Sequence, residues 1–149
     1  MVKRINFCII LCFLFFIPVF LPAQTAAELD GLLESSKVTC SQAAKFVLAS
    51  AGSESDDPFG QAVSSGWLPK KASPDKPINM GSLSLLMMKA FKIRGGVLYS
   101  IVKGPRYAYR AMVNRSFFAP GATDPGMTMN GERFLLILGN VLSYVEGEK

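Results

Sequence analysis

A pattern that occurs three times constrains the fold of this chain of 149 residues. An apolar residue followed by a hydrogen-bonding one opens a largely apolar run at Val38-Thr39, at Ile78-Asn79 and at Met127-Thr128. The pairs recur at intervals of about 40 to 50 residues, a spacing typical of repeated supersecondary units. A short apolar helix and a loop rich in Pro, Asp and Gly precede the second and third pairs. The sequence therefore predicts an all-α fold of short helix–loop–helix repeats, packed as one small domain over residues 37–145.

Local start signals place further helices. Thr25 and Glu28 have the spacing of a capping box, which predicts an N-terminal helix over residues 25–36. The last helix, from about Gly131, is apolar nearly all round, so we expect it to be the central and most buried one. For residues 97–102, which are apolar and rich in β-branched side chains, a strand and a helical turn both remain open.

Both ends of the chain differ in composition from the rest. Residues 1–24 begin with Lys3 and Arg4 and continue as an uncharged apolar run, which is typical of a signal peptide and predicts an exported protein. An uncleaved membrane anchor remains open, because the run is nearly long enough to span a bilayer. Residues 146–149 are polar and are expected to form a frayed tail.

The composition argues against several classes of site. The chain has no histidine, which removes the commonest general base, the commonest metal ligand and any Ser-His or Cys-His pair. We therefore expect no enzyme, no cofactor and no metal. The formal charge of +5 is too mild to require a nucleic-acid partner. Cys40 is the only cysteine after the leader. We expect it to be a small buried hydrophobe, although a thiol at a helix start could also be acidified.

The three openings share more than their first two residues. The stretches to compare are Val38-Thr39-Cys40-Ser41-Gln42, Ile78-Asn79-Met80-Gly81-Ser82 and Met127-Thr128-Met129-Asn130-Gly131-Glu132. They resemble the S-layer homology domain, whose repeats run helix–loop–helix with an Ile-Thr-Arg-Ala-Glu signature at the second helix. The upstream halves match too, with Pro58 to Val63 before Trp67-Leu68 and Pro105 to Arg110 before Phe117-Phe118. The resemblance covers residues 37–144 and implies an all-α repeat fold and a location in the cell envelope.

The chain departs from that family at the signature positions. In the family, the signature Arg contributes to binding an anionic cell-wall polysaccharide. The aligned residues here are Cys40, Met80 and Met129, none of which can pair with an anion. The signature Glu is replaced by Gln42 and Ser82 in the first two copies. The resemblance thus supports the fold and the envelope location better than it supports polysaccharide binding.

One group of basic and tyrosine side chains is the candidate ligand site. Aromatic faces beside guanidinium groups suit sugar rings and phosphate or carboxylate groups. Arg106 and Arg110 lie four residues apart on a predicted helix, where like charges cost a few tenths of a kcal/mol. The alternative is that the tyrosines belong to the core and the arginines to a solvated face. The candidate residues are Tyr99, Lys103, Arg106, Tyr107, Arg110 and Arg115.

These observations predict an exported, non-enzymatic binding or scaffolding module of the cell envelope, periplasmic in a cell with two membranes. Its expected partner is cell-wall or another anionic polysaccharide, or an envelope protein, and we expect membrane contact only through an uncleaved leader. The alternative is a periplasmic protein-interaction subunit that docks on a membrane or secreted partner through exposed Met and aromatic residues. Salt-sensitive binding to sugar polymers would indicate the first function, and a salt-insensitive stoichiometric complex the second.

Overall fold

The computed structural model describes residues 21–118 and 124–148, and within them the chain forms seven α-helices and no β-strand. The predicted all-α class is therefore confirmed for this part of the chain. Of the predicted signal peptide, residues 1–20 lie outside the described residues. The helices are α1 (Leu21–Glu34), α2 (Cys40–Ser50), α3 (Pro58–Ser64), α4 (Met80–Ala90), α5 (Val97–Ile101), α6 (Pro105–Asn114) and α7 (Gly131–Gly147).

The chain divides after Gly31 into two compact units, and the second contains α2 to α7. Helix α1 begins at Leu21, so Thr25 lies inside it and the predicted start at a capping box is wrong. Within the second unit, Leu32 is buried in the core, whereas the neighbouring Leu33 is exposed.

Three segments that precede α2, α4 and α7 are joined by backbone hydrogen bonds. The first N–H of α2, from Cys40, donates to the carbonyl of Lys76 at 2.9 Å. The first N–H of α4, from Met80, donates to Met127 at 2.8 Å, and the first N–H of α7, from Gly131, donates to Ser35 at 3.0 Å. The first segment thus donates to the second, the second to the third and the third to the first. We call this arrangement the helix-start cycle; it satisfies N–H groups that a helix cannot satisfy itself.

Each of the three helices is capped by a side chain. Thr39 and Gln42 form a capping box at the start of α2. Asn79 Oδ1 accepts from the N–H of Ser82 at 2.8 Å at the start of α4. At α7 the cap is Asn130, whose Oδ1 accepts from the N–H of Arg133 at 3.0 Å.

The third opening was therefore predicted two residues too early, at Met127-Thr128. Thr128 lies in an isolated bridge with Asn79, before the helix. The physical reason is burial, because Met129 is 3% exposed whereas Met127 is 38% exposed. The apolar residue that precedes the cap must enter the core, and Met129 is the one that does.

Helix α4 is the most buried helix, and the prediction that α7 would be is wrong. All nine residues from Met80 to Met88 are buried, and α4 packs against both α2 and α6. On α7, Phe134, Ile137 and Val141 are buried, but Leu136 is 55% exposed. A run that is apolar on every side predicts a buried helix only if neighbours cover every side.

Two pairs of helices end in matching ways. Helix α2 ends with Gly52 at φ +72° and α4 with Lys92 at φ +55°, while α3 and α6 are followed by Gly66 at +69° and Ser116 at +59°. In each case the next N–H returns to the carbonyl five residues earlier, as in a Schellman motif. Glycine occupies the left-handed position at Gly52 and at Gly66. Lys92 and Ser116 adopt the same left-handed backbone without a glycine.

For two remaining stretches, the structure decides between open alternatives in one and corrects the prediction in the other. Residues 97–102, for which strand and helix were both open, form the helix α5 over Val97–Ile101. Helix α7 continues to Gly147, so the predicted polar tail is helical over its first two residues.

Candidate functional site

Helix α6 and the loop before it carry most of the predicted site residues, but the structure does not gather all six at one place. Three surface grooves border these elements, and we name them by their most characteristic side chains. The arginine groove contains Arg106 and Arg110, the tyrosine groove contains Tyr107, and the lysine groove contains Lys103. Arg110 lies between the first two grooves and lines both.

The arginine groove has a volume of about 630 Å³ and lies between the start of α4, α6 and the loop before α7. Arg106 and Arg110 are exposed one helical turn apart on one wall, with the buried Tyr109 between them. The ring of Tyr109 stacks on Phe118 with centroids 5.3 Å apart, which fixes its position. The lining residues are Pro69, Asn79, Gly81, Ser82, Pro105, Arg106, Tyr109, Arg110, Pro125 and Gly126.

The positive charge of the arginine groove comes from side chains rather than from the N-terminus of α4. The N–H groups of Met80 and Gly81 already donate to the carbonyls of Met127 and Pro125, both at 2.8 Å. The N–H of Ser82 donates to Asn79. An anion in this groove would therefore meet the two guanidinium groups, and hydroxyl and amide side chains beside them.

Tyr109 contributes a neutral phenol to this groove. Its burial, and then the negative charge of Asp124, raise the pKa of the phenol, while Arg133 lowers it in part. The phenol therefore stays protonated near neutral pH.

Helix α5 forms a ridge between the other two grooves. The tyrosine groove, of about 460 Å³, lies on its α6 side and contains Tyr107, Arg110 and Asn114. The lysine groove, of about 510 Å³, lies on its α4 side and contains Lys89, Lys92, Arg94 and Lys103. Tyr99 borders both grooves but is only 7% exposed, so it is chiefly a core residue of α5. Burial raises the pKa of its phenol.

Arg115 has a structural position. Its guanidinium donates to the carbonyl of Ala111 at 3.2 Å and to the carbonyl of Arg94. The same group lies 6.0 Å from the centre of the Tyr144 ring on α7. It lines none of the three grooves. Of the six predicted residues, Arg115 is thus the one that contacts neighbouring carbonyl groups and lines none of these grooves.

Charge is distributed unevenly along the chain, and the predicted site includes only some of the basic residues in the stretch concerned. Between Asp75 and Asp124 the sequence contains no acidic residue. Within the same stretch lie eight basic residues: Lys76, Lys89, Lys92, Arg94, Lys103, Arg106, Arg110 and Arg115. All three grooves draw their charged side chains from this stretch. The absence of acidic residues from this stretch indicates Lys89, Lys92 and Arg94 as further site residues, in addition to the predicted ones.

Cys40 lies apart from these grooves. It is 6% exposed with a free thiol, and burial raises the pKa of that thiol. The alternative of an acidified thiol at the start of α2 is therefore wrong, and the expected buried hydrophobe is what the structure contains.

Comparison of the chain with protein-family models, with curated proteins and with solved structures found no match in any of the three. Among the helices within residues 21–118 and 124–148, none combines the length and the apolar character that crossing a membrane requires.

Proposed function

We propose that this protein is an exported, non-enzymatic module of the cell envelope that binds an anionic polysaccharide in the arginine groove. The observation that carries the proposal is the pairing of Arg106 with Arg110 on one wall of a groove of about 630 Å³. Guanidinium groups bind carboxylate or phosphate through paired hydrogen bonds. The side chains of Asn79 and Ser82 supply polar groups for sugar hydroxyls. The prolines that line the groove supply apolar surface for a sugar ring.

The helix-start cycle supports a relationship to S-layer homology repeats. A cycle of three helix starts, each donating to the next, is what three equivalent repeats around one axis would produce. The paired endings of α2 with α4 and of α3 with α6 support the same organisation. With α7 opening at Asn130, the positions of the signature Arg become Cys40, Met80 and Gly131. The cations of the proposed site therefore come from α6 instead of the signature.

The proposed location rests on residues 1–24, whose basic start and apolar run are typical of an export signal. Export would deliver the module to the periplasm of a cell with two membranes, where cell-wall polysaccharide is accessible.

The alternative of a protein-interaction subunit gains little support from the residues first invoked for it. Most of the methionines that this alternative places on a docking surface are core residues. Met80, Met87, Met88, Met112 and Met129 are at most 3% exposed, and Met127 is the more exposed exception at 38%. Buried methionines fill gaps in a core and cannot contact a partner.

Co-sedimentation with purified cell-wall sacculi and with soluble anionic wall polysaccharide tests the proposal. The full chain is compared with a double variant, Arg106→Ala with Arg110→Ala. We expect saturable binding that weakens at high salt, and a loss of about tenfold or more in affinity in the variant, because hydrogen bonds to charged groups contribute about 1.5–3 kcal/mol each.

The matched control removes two positive charges outside the three grooves, with Lys37→Ala and Lys71→Ala. This control should bind nearly as well as the parent, and circular dichroism should give the same helix content for all three chains. Equal losses in both variants would mean that net charge alone drives the binding. Absence of binding by the parent at low salt would refute the proposal.

A further inference from the structure

Helix α5 presents an apolar face to solvent. Val97 is 77% exposed and Ile101 74%, with Leu98 at 57% and Val102 at 49%. Val97, Leu98 and Ile101 share one side of this helix, because neighbours on a helix surface lie three or four residues apart, and Val102 follows directly at the C-cap. Single exposed aliphatic residues are ordinary in soluble proteins, but three on a helix of five residues, followed directly by Val102, form a patch.

The patch has a defined orientation because Tyr99 fastens α5 to the core. Tyr99 is 7% exposed, and its ring passes close over Gly95. A Cβ atom at Gly95 would lie 2.2 Å from ring atom Cδ1 of Tyr99, so the ring fits here because residue 95 lacks a side chain. With Tyr99 turned inward, the aliphatic residues of the same short helix must face outward.

Cations accompany this apolar ridge on its α4 side. The lysine groove runs along α5 and contains Lys89, Lys92, Arg94 and Lys103, while Arg110 lies in the groove on the α6 side. No acidic side chain lines either of these two grooves. The surface therefore combines a protruding aliphatic patch with flanking positive charge.

We propose that α5 docks this protein on the surface of an anionic lipid bilayer. Val97, Leu98, Ile101 and Val102 enter the boundary between headgroups and acyl chains, and the cations of the lysine groove contact lipid phosphates. This layered arrangement matches a bilayer, in which anionic groups lie at the surface and apolar material lies directly beneath them. An acidic protein would satisfy the cations but would need a complementary apolar pocket for a convex ridge.

This contact differs from any anchorage through residues 1–24, and it does not depend on the polysaccharide proposal. The aliphatic residues of α5 are absent from the lining of the arginine groove. Failure of one proposal therefore leaves the other standing, and variants of the two surfaces can be compared in both assays.

Flotation with lipid vesicles tests the proposal on the full chain. Vesicles contain either phosphatidylcholine alone or phosphatidylcholine with phosphatidylglycerol. The parent is compared with Val97→Ser/Ile101→Ser and with the control Leu136→Ser, which removes an aliphatic residue that is 55% exposed on α7. We expect the parent and the control to bind the anionic vesicles, and the double variant to bind at least about tenfold more weakly, because burial of each aliphatic side chain contributes about 1.5–3 kcal/mol.

Charge is tested separately with Lys89→Gln/Lys92→Gln. Near an anionic surface each Lys or Arg contributes about 1 kcal/mol, so each substitution should weaken binding about fivefold. Salt should weaken binding as well. Equal binding to both kinds of vesicle, or no binding by the parent, would overturn the proposal.

A local probe separates α5 from any binding by the leader. An environment-sensitive fluorophore is attached at Ser100→Cys, or at Leu136→Cys as the control, with Cys8 and Cys12 replaced by serine. Cys40 is buried, which protects it from labelling. Anionic vesicles should shift the emission of the Ser100→Cys label to shorter wavelength and leave the control label unchanged. If the protein binds vesicles but the emission of the Ser100→Cys label does not shift, docking through α5 is refuted. Binding of this chain to an acidic protein, without binding to vesicles, would also refute it.

Discussion

The N–H of Ile78 donates a 2.9 Å hydrogen bond to the carbonyl of Val38, although the two residues lie far apart in the sequence. The N–H of Val38 in turn donates to Met129 at 2.9 Å. The three side chains are at most 3% exposed, so the residues that precede the caps of α2, α4 and α7 are buried together with their backbones paired. Asn79, which follows Ile78 and lines the arginine groove, is thereby held by two other parts of the chain.

Truncation of Ile78 tests the importance of this contact. Ile78→Ala should lower the free energy of unfolding by about 2–5 kcal/mol, because it removes a side chain that is 1% exposed and leaves a cavity. Leu136→Ala, on the exposed face of α7, should change it by less than about 0.5 kcal/mol. Urea unfolding followed by circular dichroism measures both. Similar effects of the two substitutions would contradict a core role for the residues that precede the caps.

The start of α7 makes a second prediction about the same cycle. Asn130→Ala should cost about 1 kcal/mol of stability, because it removes the side chain that accepts from the N–H of Arg133. Thr128→Ala should cost less than about 0.5 kcal/mol, because Thr128 is exposed and contributes a backbone bridge. Thermal unfolding of the two variants gives the comparison. A larger loss for Thr128→Ala would mean that the third opening lies at Met127-Thr128, as the repeat pattern predicted.

Much of the secondary structure could be predicted because the signals for it are local. Asp57 and Pro58 open α3 through one side chain and one fixed backbone angle, and Gly52 ends α2 because glycine tolerates positive φ. These helix starts and ends depend on residues within one turn of each other. They can therefore be predicted without knowledge of the remaining fold.

The features that depend on distant partners could not be predicted in this way. Met127 and Met129 are chemically the same, and only the packing against Val38 and Ile78 decides which is buried. Arg110 and Arg115 are likewise both basic residues on or beside one helix. The carbonyl of Arg94 and the ring of Tyr144 lie outside α6, and they hold Arg115 in a structural position. Arg110, by contrast, is exposed at the surface.

Helices α2 and α4 end in the same backbone conformation, with glycine at one end and lysine at the other. Substituting each residue by the other should therefore have opposite effects on stability. Lys92→Gly should raise stability by about 0.5–1 kcal/mol, because lysine is strained at φ +55°. Gly52→Lys should lower it by about 1 kcal/mol, because Gly52 occupies the same backbone region at φ +72°. The melting temperatures should shift in opposite directions. Destabilisation by Lys92→Gly would mean that contacts of the lysine side chain outweigh its backbone strain.

Buried Cys40 predicts a dependence of stability on alkaline pH. An ordinary thiol has a pKa of about 8.5, and burial raises the pKa of Cys40 in the folded protein. Above pH 8.5 the unfolded chain loses this proton while the folded chain keeps it, so the stability that is present at lower pH is lost as pH rises. Urea unfolding between pH 8 and 9.5 should show a shallower decline for Cys40→Ala than for the parent. Equal declines of stability in the two chains would contradict a contribution from Cys40.

The position of Arg115 predicts that stability and ligand binding separate along α6. Arg115→Ala should lower the free energy of unfolding by about 1–3 kcal/mol, because two carbonyl oxygens lose a charged donor and Tyr144 loses its cation. Arg115→Lys should recover only part of this, since an ammonium lacks the planar fork that reaches both carbonyls. Arg106→Ala and Arg110→Ala, at exposed positions, should leave stability within about 0.5 kcal/mol. If Arg115→Ala instead weakened polysaccharide binding without loss of stability, the assignment of ligand contacts to the arginine groove would be wrong.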